Sequence, residues 1–561
     1  MKYNLIGSNN REVVDTVLFN RDISNVEELL NPKTLEEHYS NLDHIDIAVD
    51  TFLKHCKNKS KILVIVDADV DGLTSSAFIC NYMRELNIEF EVHIHDGKKH
   101  GITPDAIEHI NELNPKLLIV PDASSSEGGI HKSLIDLGID IIILDHHEVE
   151  GESPAIIVNN QSSTRFSNKN LSGVGIVYKF CQAVDDKLGI TGFCNKYLDL
   201  VAVGMISDVM DLRNIETRML CRYGLNNIVN PFFKVLFEKE DVEDPTIVDV
   251  GFKIAPPMNA LIRVGTMEEK RMLFDALSGM EYPVKYKPRG KSETTQSLAE
   301  AVIRMGNNAK SRQRTLTKKA VENISKHIID NDLVDNKVLI VDVTGLADKS
   351  ITGLVANKLT DTYKRPVMLV HKTSQDTLAG SVRGYGVSNL KDICSNSGLF
   401  ELCAGHQESF GVEFNIDNLV KINQYFNELF KDVEYSLAYD VDYIFEAKDL
   451  TKQVVETIGG FKHLWGNGIN EPLFVVKNIR ISSKDVKKLG FNMVTFCKND
   501  IFYIKNFANS SFIDEITCRD QIGFGEANLV IDMVCKFTQS KYGSRVEIVD
   551  YISRLDTDLI F

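Results

Sequence analysis

An aspartate-rich segment, Asp67-Ala68-Asp69-Val70-Asp71-Gly72, places three carboxylates at alternate positions. Carboxylates held this close repel one another unless a cation lies between them. The segment lacks the twelve-residue spacing and closing glutamate of a calcium-binding EF-hand. It therefore predicts a site for divalent metal ions, and a helix predicted over residues 73–83 would also favour an anion such as phosphate at its N-terminus.

A second cluster, Asp145-His146-His147-Glu148, combines carboxylate and imidazole groups. That combination suits manganese, iron, cobalt or zinc better than calcium or magnesium alone. Taken alone, this short cluster is equally compatible with structural histidines. A later acid, Asp208, follows an apolar stretch where a buried charge needs a partner. An N-cap or an ion pair with Arg213 would explain Asp208 without any metal.

The elements that must position these residues are three short apolar runs rich in β-branched side chains. The runs are Lys61–Val66, Lys116–Val120 and Ile139–Leu144, and they lead into Asp67, Asp122 and Asp145 respectively. Helix-like patterns separate the runs, which indicates a parallel sheet covered on both faces. Ligands of such sheets bind beyond the carboxyl ends of the strands. We therefore expect these acids and the histidine pair to meet at one metal site.

The remainder of the chain predicts three further parts. Helical spacing of apolar residues predicts a long helix over residues 295–330. A second α/β unit begins at Lys337, with strands predicted at residues 337–343 and 366–370 and a helix between them at residues 351–359. Beyond about residue 435, apolar runs at 529–537 and 545–551 flank a turn, which predicts an antiparallel hairpin in a small β domain.

The composition limits the class of protein. The 561 residues carry a net charge of -16, which argues against indiscriminate binding to duplex nucleic acid. Residues 285–320 nevertheless hold ten cations and two acids, either a solvated helix face or a wall along a phosphate backbone. The ten cysteines form no Cys-x-x-Cys pair. With no signal-peptide pattern and no apolar run of membrane-spanning length, we expect a reduced, soluble, cytoplasmic protein with no membrane association.

Taken in order, the acidic segment 67–72, the isolated Asp122, the Asp-His-His cluster at 145–147 and the later Asp208 resemble the four motifs of the DHH phosphoesterases. The resemblance implies an α/β fold with a parallel-sheet domain and a mobile second domain, and two divalent metal ions, with Mn²⁺ preferred and Mg²⁺ as the alternative. By this resemblance the metal ligands are Asp67, Asp69, Asp71, Asp122, His146 and Asp208, with Asp122 bridging the two ions. It also implies that Asp145 orients a histidine and that His147 faces the scissile phosphate.

Four later segments resemble RecJ-type exonucleases, a branch of the DHH superfamily. The segments are Ile254–Arg263, Gly380–Arg383, Ala404–His406 with Gly411, and Trp465–Phe474. The resemblance implies that the substrate contacts are Asn259, Arg263, Ser381, Arg383 and Gly405, and that His406 adds a donor to the phosphate. Ser381 and Arg383 are two residues apart, so on a strand they share a face and suit a terminal phosphate.

Two departures from the family pattern concern loops. Ser124 replaces a glycine of the second motif, so the loop after Asp122 is expected to differ in shape. The loop at residues 96–102 lacks the family's arginine, for which Lys98 or Lys99 would substitute.

The resemblance implies a 5′-to-3′ exonuclease that degrades single-stranded DNA to mononucleotides in DNA repair, recombination or replication. We expect a monomer whose partners are single-stranded DNA and a single-strand-binding protein or helicase. The expected parts are a DHH catalytic domain with an N-terminal helical segment (1–294), a connecting helix (295–335), a DHH-associated substrate-binding domain (336–435) and an OB-fold-like nucleic-acid-binding domain (436–561). Two alternatives stay open: a phosphodiesterase of short oligonucleotides or cyclic dinucleotides, whose chains are usually shorter, and a non-catalytic replication scaffold of the same fold.

Overall fold

A computed structural model describes residues 1–7, 11–32, 37–97, 99–374, 376–435, 438–482, 485–489, 493–506, 528–540 and 542–555. Within it the chain forms two units, one of residues 1–33 with 437–561 and one of residues 34–436.

The N-terminal segment belongs to the first of these units. It contains β1 (Tyr3–Leu5), α1 (Val13–Phe19) and α2 (Val26–Leu30). The strand β1 pairs in parallel with residues 439–441, and the Nη1 atom of Arg21 lies 2.6 Å from Oδ1 of the buried Asp442. These contacts join residues 1–33 to the C-terminal part of the chain, whereas the sequence predicted that they belong to a domain of residues 1–294.

The second unit contains the predicted parallel sheet. Its strands are β2 (Ile62–Val66), β3 (Glu91–Ile94), β4 (Leu117–Pro121), β5 (Asp140–Asp145) and β6 (Ile156–Asn159). They lie in the order β3-β2-β4-β5-β6, and every neighbouring pair is parallel. All residues of β2 and β4 are buried, as expected for strands covered on both faces. The predicted fold class, α/β with a parallel sheet, is confirmed.

Helices cover this sheet and continue into a helical layer. They are α3 (Ile45–Lys57), α4 (Val70–Glu85), α5 (Pro104–Leu113), α6 (Gly128–Asp136), α7 (Gly173–Leu188), α8 (Leu198–Ser207), α9 (Ile215–Asn226), α10 (Pro231–Lys239), α11 (Ile247–Asp249), α12 (Ala255–Val264) and α13 (Met267–Leu277). A short antiparallel hairpin follows, formed by β7 (Pro283–Tyr286) and β8 (Thr294–Ser297).

The predicted long helix is present as α14 (Leu298–Asp330), 33 residues in length. Its first turn is closed by a capping box, in which Ser297 and Glu300 each accept a hydrogen bond from the other's backbone N–H. The buried residues of its N-terminal half belong to the core of the parallel-sheet domain, and those of its C-terminal half to the core of the next sheet.

That next sheet is mixed. Its elements are β9 (Leu339–Asp342), α15 (Thr352–Tyr363), β10 (Val367–Lys372), β11 (Thr377–Arg383), α16 (Leu390–Asn396), β12 (Leu402–His406), β13 (Ser409–Asn415) and α17 (Leu419–Leu429). The strands lie in the order β12-β13-β11-β10-β9, with only β9 and β10 parallel. The strands expected at residues 337–343 and 366–370, and the helix between them, are confirmed.

The C-terminal part of the first unit is mainly β-structure. It comprises β14 (Tyr439–Val441), β15 (Tyr443–Glu446), α18 (Lys452–Gly460), β16 (Phe474–Ser482), β17 (Lys487–Leu489), β18 (Met493–Lys498), β19 (Ile501–Lys505), β20 (Asn528–Ser540) and β21 (Gly543–Leu555). Seven of these strands form one sheet, and β20 pairs with β21 as the predicted antiparallel hairpin. Among the described residues, no helix combines the length and apolar character needed to cross a membrane.

Candidate metal centre

Three acids lie at the carboxyl edge of the parallel sheet. Asp67 follows β2, Asp122 follows β4, and Asp145 is the last residue of β5; all three are buried. The chain turns sharply at Asp122, where φ is 64°, and its N–H donates a hydrogen bond of 2.8 Å to the carbonyl of Leu144 on β5. Strand ends therefore bring the carboxylates together, as the parallel arrangement requires.

The imidazole of His146 lies close to the carboxylates of Asp122 and Asp208. Its Nε2 atom is 3.3 Å from Oδ1 of Asp122 and 3.3 Å from Oδ2 of Asp208, the residue that ends α8. One donor atom from each of Asp71, His146 and Asp208 lies within 4.8 Å of the others. Four segments that are distant in sequence thus supply oxygen and nitrogen donors to one small volume.

The backbone around Asp71 is shaped to hold its carboxylate. The Ser172 hydroxyl and the Gly173 N–H donate hydrogen bonds of 2.9 and 2.7 Å to its two oxygens. A Cβ on Gly173 would lie 2.3 Å from Oδ1 of Asp122, and one on Gly204 would lie 2.5 Å from Oδ1 of Asp71. These two glycines leave room for the carboxylates where the helices α7 and α8 approach the acidic segment.

The electrostatics of the cluster favour a cation. Burial raises the pKa of Asp71 to about 6 and, with the charge of Asp71 as the next cause, raises that of Asp208 to about 8. Burial also raises the pKa of Asp122 well above its ordinary value, and the neighbouring aspartates add to the effect. Among the described residues, Oδ1 of Asp122 and Nε2 of His146 are buried without a hydrogen-bond partner. A divalent cation fits this donor set, because it would pair with both atoms and offset the crowded charge.

Asp145 accepts hydrogen bonds from the two histidines that follow it in the chain. Its Oδ1 accepts hydrogen bonds from the backbone of His146 and from Nδ1 of His147, at 2.7 and 2.8 Å, and its Oδ2 accepts one from the backbone of Ser125. Although burial opposes ionisation, the hydrogen bond from His147 holds the pKa of Asp145 below its usual range. That same bond raises the pKa of His147 to about 9. The ring of His147 is therefore oriented by Asp145, whose charge favours the protonated imidazole, and 58% of its side chain is exposed.

A second group of donors surrounds Asp67. The Nδ1 atom of His100 donates to Oδ2 of Asp67 at 2.6 Å, and the Gly101 N–H donates to Oδ1 at 3.0 Å. Asp69 caps α4 by accepting from the Gly72 N–H, and donor atoms of Asp67, Asp69 and His100 lie within 4.8 Å of one another. His100 was not predicted from the sequence, because it lies in a loop with no strand or motif to mark it.

Comparisons with known proteins identify the family of the chain. Residues 61–205 match the DHH family, N-terminal domain. The chain is 38% identical over 562 residues to YorK of Bacillus subtilis, a putative SPbeta prophage-derived single-strand DNA-specific exonuclease, with 97% of this chain and 96% of that protein covered. It is 25% identical to the single-stranded-DNA-specific exonuclease RecJ of the same organism, over 90% of this chain and 60% of that protein. The chain belongs to the RecJ-type branch of the DHH family.

Solved structures show the same fold for this RecJ-type chain. The crystal structure of RecJ from Thermus thermophilus in complex with Mn²⁺ matches with a TM-score of 0.70 at 19% identity, covering 96% of this chain and 76% of that chain. A structure of exonuclease RecJ bound to manganese matches with a TM-score of 0.53 at 21% identity, covering 72% and 97% respectively. At these identities the likeness concerns the fold.

The second sheet of the RecJ-type chain places Ser381 and Arg383 together on β11. A Cβ added to Gly353, the second residue of α15, would lie 2.5 Å from Nη2 of Arg383 and 3.7 Å from Oγ of Ser381. A hydroxyl and a guanidinium thus lie beside a helix N-terminus, where backbone N–H groups and the helix dipole also favour an anion. Gly353 was not predicted as a site residue, because its proximity to β11 depends on tertiary packing.

Arg263 on α12 interacts electrostatically with both Arg383 and the acidic cluster. Burial lowers the pKa of Arg263, while the charge of Asp69 opposes that shift. Burial and then the charge of Arg263 lower the pKa of Arg383. Asn259, predicted with Arg263, lies one helical turn before it on α12 and is partly buried.

The other predicted substrate contacts that the structure describes, Lys99, Gly405 and His406, are exposed. Gly405 and His406 end the exposed strand β12, and Gly405 has a φ of 125°. The Nζ atom of Lys99 pairs with Asp105 at 2.8 Å, so the structure gives it a protein partner. Lys98 lies outside the described residues. Ser124, which replaces the family's glycine, has a φ of 80°, a left-handed conformation that residues other than glycine adopt less often.

Proposed function

We propose that this chain is a metal-dependent exonuclease that hydrolyses single-stranded DNA from its 5′ end to mononucleotides. The observation that carries the proposal is the convergence of Asp122, His146 and Asp208, with separations of 3.3 Å from the imidazole nitrogen to each carboxylate. The relatives covering most of the chain are named as single-strand DNA-specific exonucleases, which supports the substrate class.

The proposed cofactors are two divalent cations, with Mn²⁺ preferred and Mg²⁺ as the alternative. Their ligands would be Asp67, Asp69, Asp71, Asp122, His146 and Asp208, with His100 beside Asp67. When bound, such cations lower the pKa of a coordinated water and neutralise charge on the phosphoryl group.

The protein's own groups would orient the phosphodiester. The hydrogen bond between Nδ1 of His147 and Asp145 orients the ring and raises the pKa of His147, so His147 would donate a hydrogen bond to a phosphate oxygen. His406 is proposed as a second donor from the exposed end of β12. Asn259 and Arg263, on one face of α12, would contact the backbone of the strand.

The position of Ser381 and Arg383 beside Gly353 supports the proposed 5′ polarity. Its guanidinium, hydroxyl and helix N-terminus suit a dianionic terminal phosphate better than an internal phosphodiester. Binding the terminal phosphate would set the distance to the scissile bond and so release mononucleotides. Arg263 would provide further positive charge between the two sites.

Further aspects of the proposal concern location and partners. The nine cysteines of the described residues are all free, which supports a reducing compartment such as the cytoplasm. The C-terminal β-sheet would act as an OB-like surface for the strand. We also propose that the chain is a monomer and that it receives single strands from a single-strand-binding protein or a helicase.

Digestion of end-labelled DNA tests the proposed activity. The wild-type chain with Mn²⁺ should release labelled mononucleotides from 5′-labelled single strands and leave blunt duplexes intact. His146→Ala should abolish this, while Asp361→Asn, an exposed acid on α15, should not. Cleavage confined to di- to tetranucleotides or cyclic dinucleotides would favour the small-substrate alternative. Activity that persists in His146→Ala would contradict the proposed mechanism.

A further inference from the structure

A histidine cluster lies at the edge strand β3, apart from the residues assigned to the metal centre. His93 and His95 are two residues apart on or just after β3, so their side chains point to the same face. Asp105 lies in the first turn of α5, directly after the loop that leaves this strand. One donor atom from each of these three residues lies within 4.8 Å of the others.

The separations match those of adjacent ligands around one small cation. Oδ2 of Asp105 is 3.5 Å from Nε2 of His93 and 3.7 Å from Nδ1 of His95. Zinc bonds of about 2.0–2.2 Å in a tetrahedral site place neighbouring ligand atoms about 3.4 Å apart. The two measured separations from Oδ2 of Asp105 exceed this value by only about 0.1–0.3 Å.

One histidine nitrogen that faces Asp105 has no hydrogen-bond partner. Nε2 of His93 is buried without a partner among the described residues, while Nδ1 of His95 lies 3.1 Å from Oγ1 of Thr103, a contact that the ion would replace. His95 is only 1% exposed. Burial, followed by the proximity of His93, lowers the pKa of His95 to about 4. At neutral pH its imidazole is therefore uncharged, which is the form that binds metals.

Surrounding groups orient the three side chains and leave one carboxylate oxygen for a cation. Nδ1 of His93 lies 3.3 Å from Nδ1 of His109, a contact that can fix its tautomer. Oδ1 of Asp105 accepts hydrogen bonds of 2.8 Å from Lys99 and from Thr103. Its Oδ2 is the oxygen that faces the histidines.

We propose that His93, His95 and Asp105 bind one divalent transition-metal ion of the zinc class, separate from the catalytic centre. Two histidines and one carboxylate leave coordination positions open to water. The ion would join the two ends of the loop at residues 96–103. This loop carries His100 and Gly101, which hydrogen-bond to Asp67, so the ion would stabilise the position of a catalytic carboxylate.

Zinc stoichiometry tests this site independently of nuclease activity. The background is the full chain with Asp122→Asn and Asp208→Asn, which weakens the catalytic centre. After chelation and equilibrium dialysis against micromolar Zn²⁺, elemental analysis should find one zinc per chain that disappears when His93→Gln and His95→Gln are added. His327→Ala, a histidine in the last turn of α14, is the matched control and should retain the zinc.

A second variant guards against misfolding. Asp105→Asn preserves the size of the side chain and should lower zinc affinity at least tenfold with an unchanged circular dichroism spectrum. Zn²⁺ should raise the melting temperature of the background chain by several degrees and leave that of the His93→Gln His95→Gln chain unchanged. An equal zinc content in the background and the double-histidine chains, or no zinc in either, would overturn the proposal.

Discussion

The carboxylate of Asp122 is fully buried, and the charges of neighbouring aspartates raise its pKa. Burial is the main cause of its raised pKa, and Asp71, Asp69, Asp67 and Asp208 all add to the rise. A buried carboxylate oxygen without a hydrogen-bond partner costs stability unless a cation binds it. The buried carboxylates therefore favour cation binding but lower the stability of the metal-free protein, a trade-off that is common at active sites.

Asp122→Asn should separate stability from activity. The amide keeps the size of the side chain and removes its charge, so the metal-free protein should gain about 1 kcal/mol of unfolding free energy. Nuclease activity should fall by about a thousandfold, since roughly 4 kcal/mol of metal-dependent stabilisation would be lost. Chemical denaturation in chelator and single-strand digestion in Mn²⁺ measure the two effects. A variant that is both less stable and fully active would contradict this account of Asp122.

Arg383→Ala should weaken binding of the 5′ phosphate and leave the other substrate contacts unchanged. The variant loses the guanidinium beside Gly353, so KM for 5′-phosphorylated single strands should rise by about 10–100-fold, or roughly 1.5–3 kcal/mol for a charged hydrogen bond. KM for strands with a 5′ hydroxyl should change little. Lys358→Ala, an exposed cation on α15, is the matched control for loss of one positive charge. An equal rise of KM for both strands would refute a terminal-phosphate pocket.

Some site residues could be predicted from the sequence and others could not. Asp67, Asp122 and Asp145 directly follow or end apolar runs, and parallel strands must present such residues at one edge. His100 and Ser172 lie in loops, and their contacts with Asp67 and Asp71 join residues 33 and 101 positions apart. No local pattern records such contacts, because they depend on how the loops pack in three dimensions.

The elements α7 and α8 carry close approaches that only glycine permits. A Cβ on Gly204 of α8 would lie 2.4 Å from Oγ1 of Thr74 and 2.5 Å from Oδ1 of Asp71. Gly173, the first residue of α7, donates its N–H to Asp71. The helices thus reach the acidic segment at the positions that lack side chains.

Gly204→Ala should lower both stability and metal binding. The added methyl group overpacks a buried contact, which should cost about 2–3 kcal/mol, and it should displace Asp71 enough to weaken Mn²⁺ binding. The control is Gly129→Ala on α6, where a Cβ would meet no atom within 4 Å. That substitution should gain about 0.5–1 kcal/mol because alanine is favoured in a helix. Thermal unfolding with and without Mn²⁺ measures both, and equal effects of the two variants would contradict the packing argument.

The buried ion pair of Lys179 and Glu216 should stabilise α7 against α9. Their charged atoms are 2.7 Å apart, and the two side chains are 0% and 4% exposed. Lys179→Met leaves Glu216 buried without its cation, which should cost about 3–5 kcal/mol. Lys187→Met removes a cation from the exposed pair with Asp50 and should change stability by under about 1 kcal/mol. Urea denaturation distinguishes the two, and a similar small change in both would contradict the role assigned to the buried pair.

The periodic elements were predictable because their signals are local. The helix α14 and the hairpin of β20 and β21 have the apolar spacing and turn residues that identify them. The strand β1 has only three residues, two of them exposed, so its own sequence contains little strand signal. It is fixed by parallel pairing with β14, more than 430 residues away.

At the scale of the whole molecule, the chain forms two units, and the first unit combines residues from both ends of the sequence. Residues 1–33 join residues 437–561, although they precede the parallel-sheet domain in the chain. Sequence order alone could not indicate this, because the core of that unit includes Val13 and Val17 beside C-terminal residues such as Phe474. Deleting residues 1–33 should therefore destabilise the C-terminal sheet and leave the metal centre able to bind Mn²⁺. Loss of Mn²⁺ binding with an intact C-terminal sheet would contradict the observed division.

Diffraction from crystals of the full chain soaked in millimolar Mn²⁺ tests the central claim most directly. Anomalous scattering at the manganese edge should show peaks within about 2.0–2.5 Å of Asp122, His146 and Asp208 side-chain atoms, the distance of a coordinate bond. Crystals of Asp122→Asn should lose or weaken those peaks. An occupied manganese site elsewhere, with no anomalous signal among these three residues, would contradict the account of the catalytic centre.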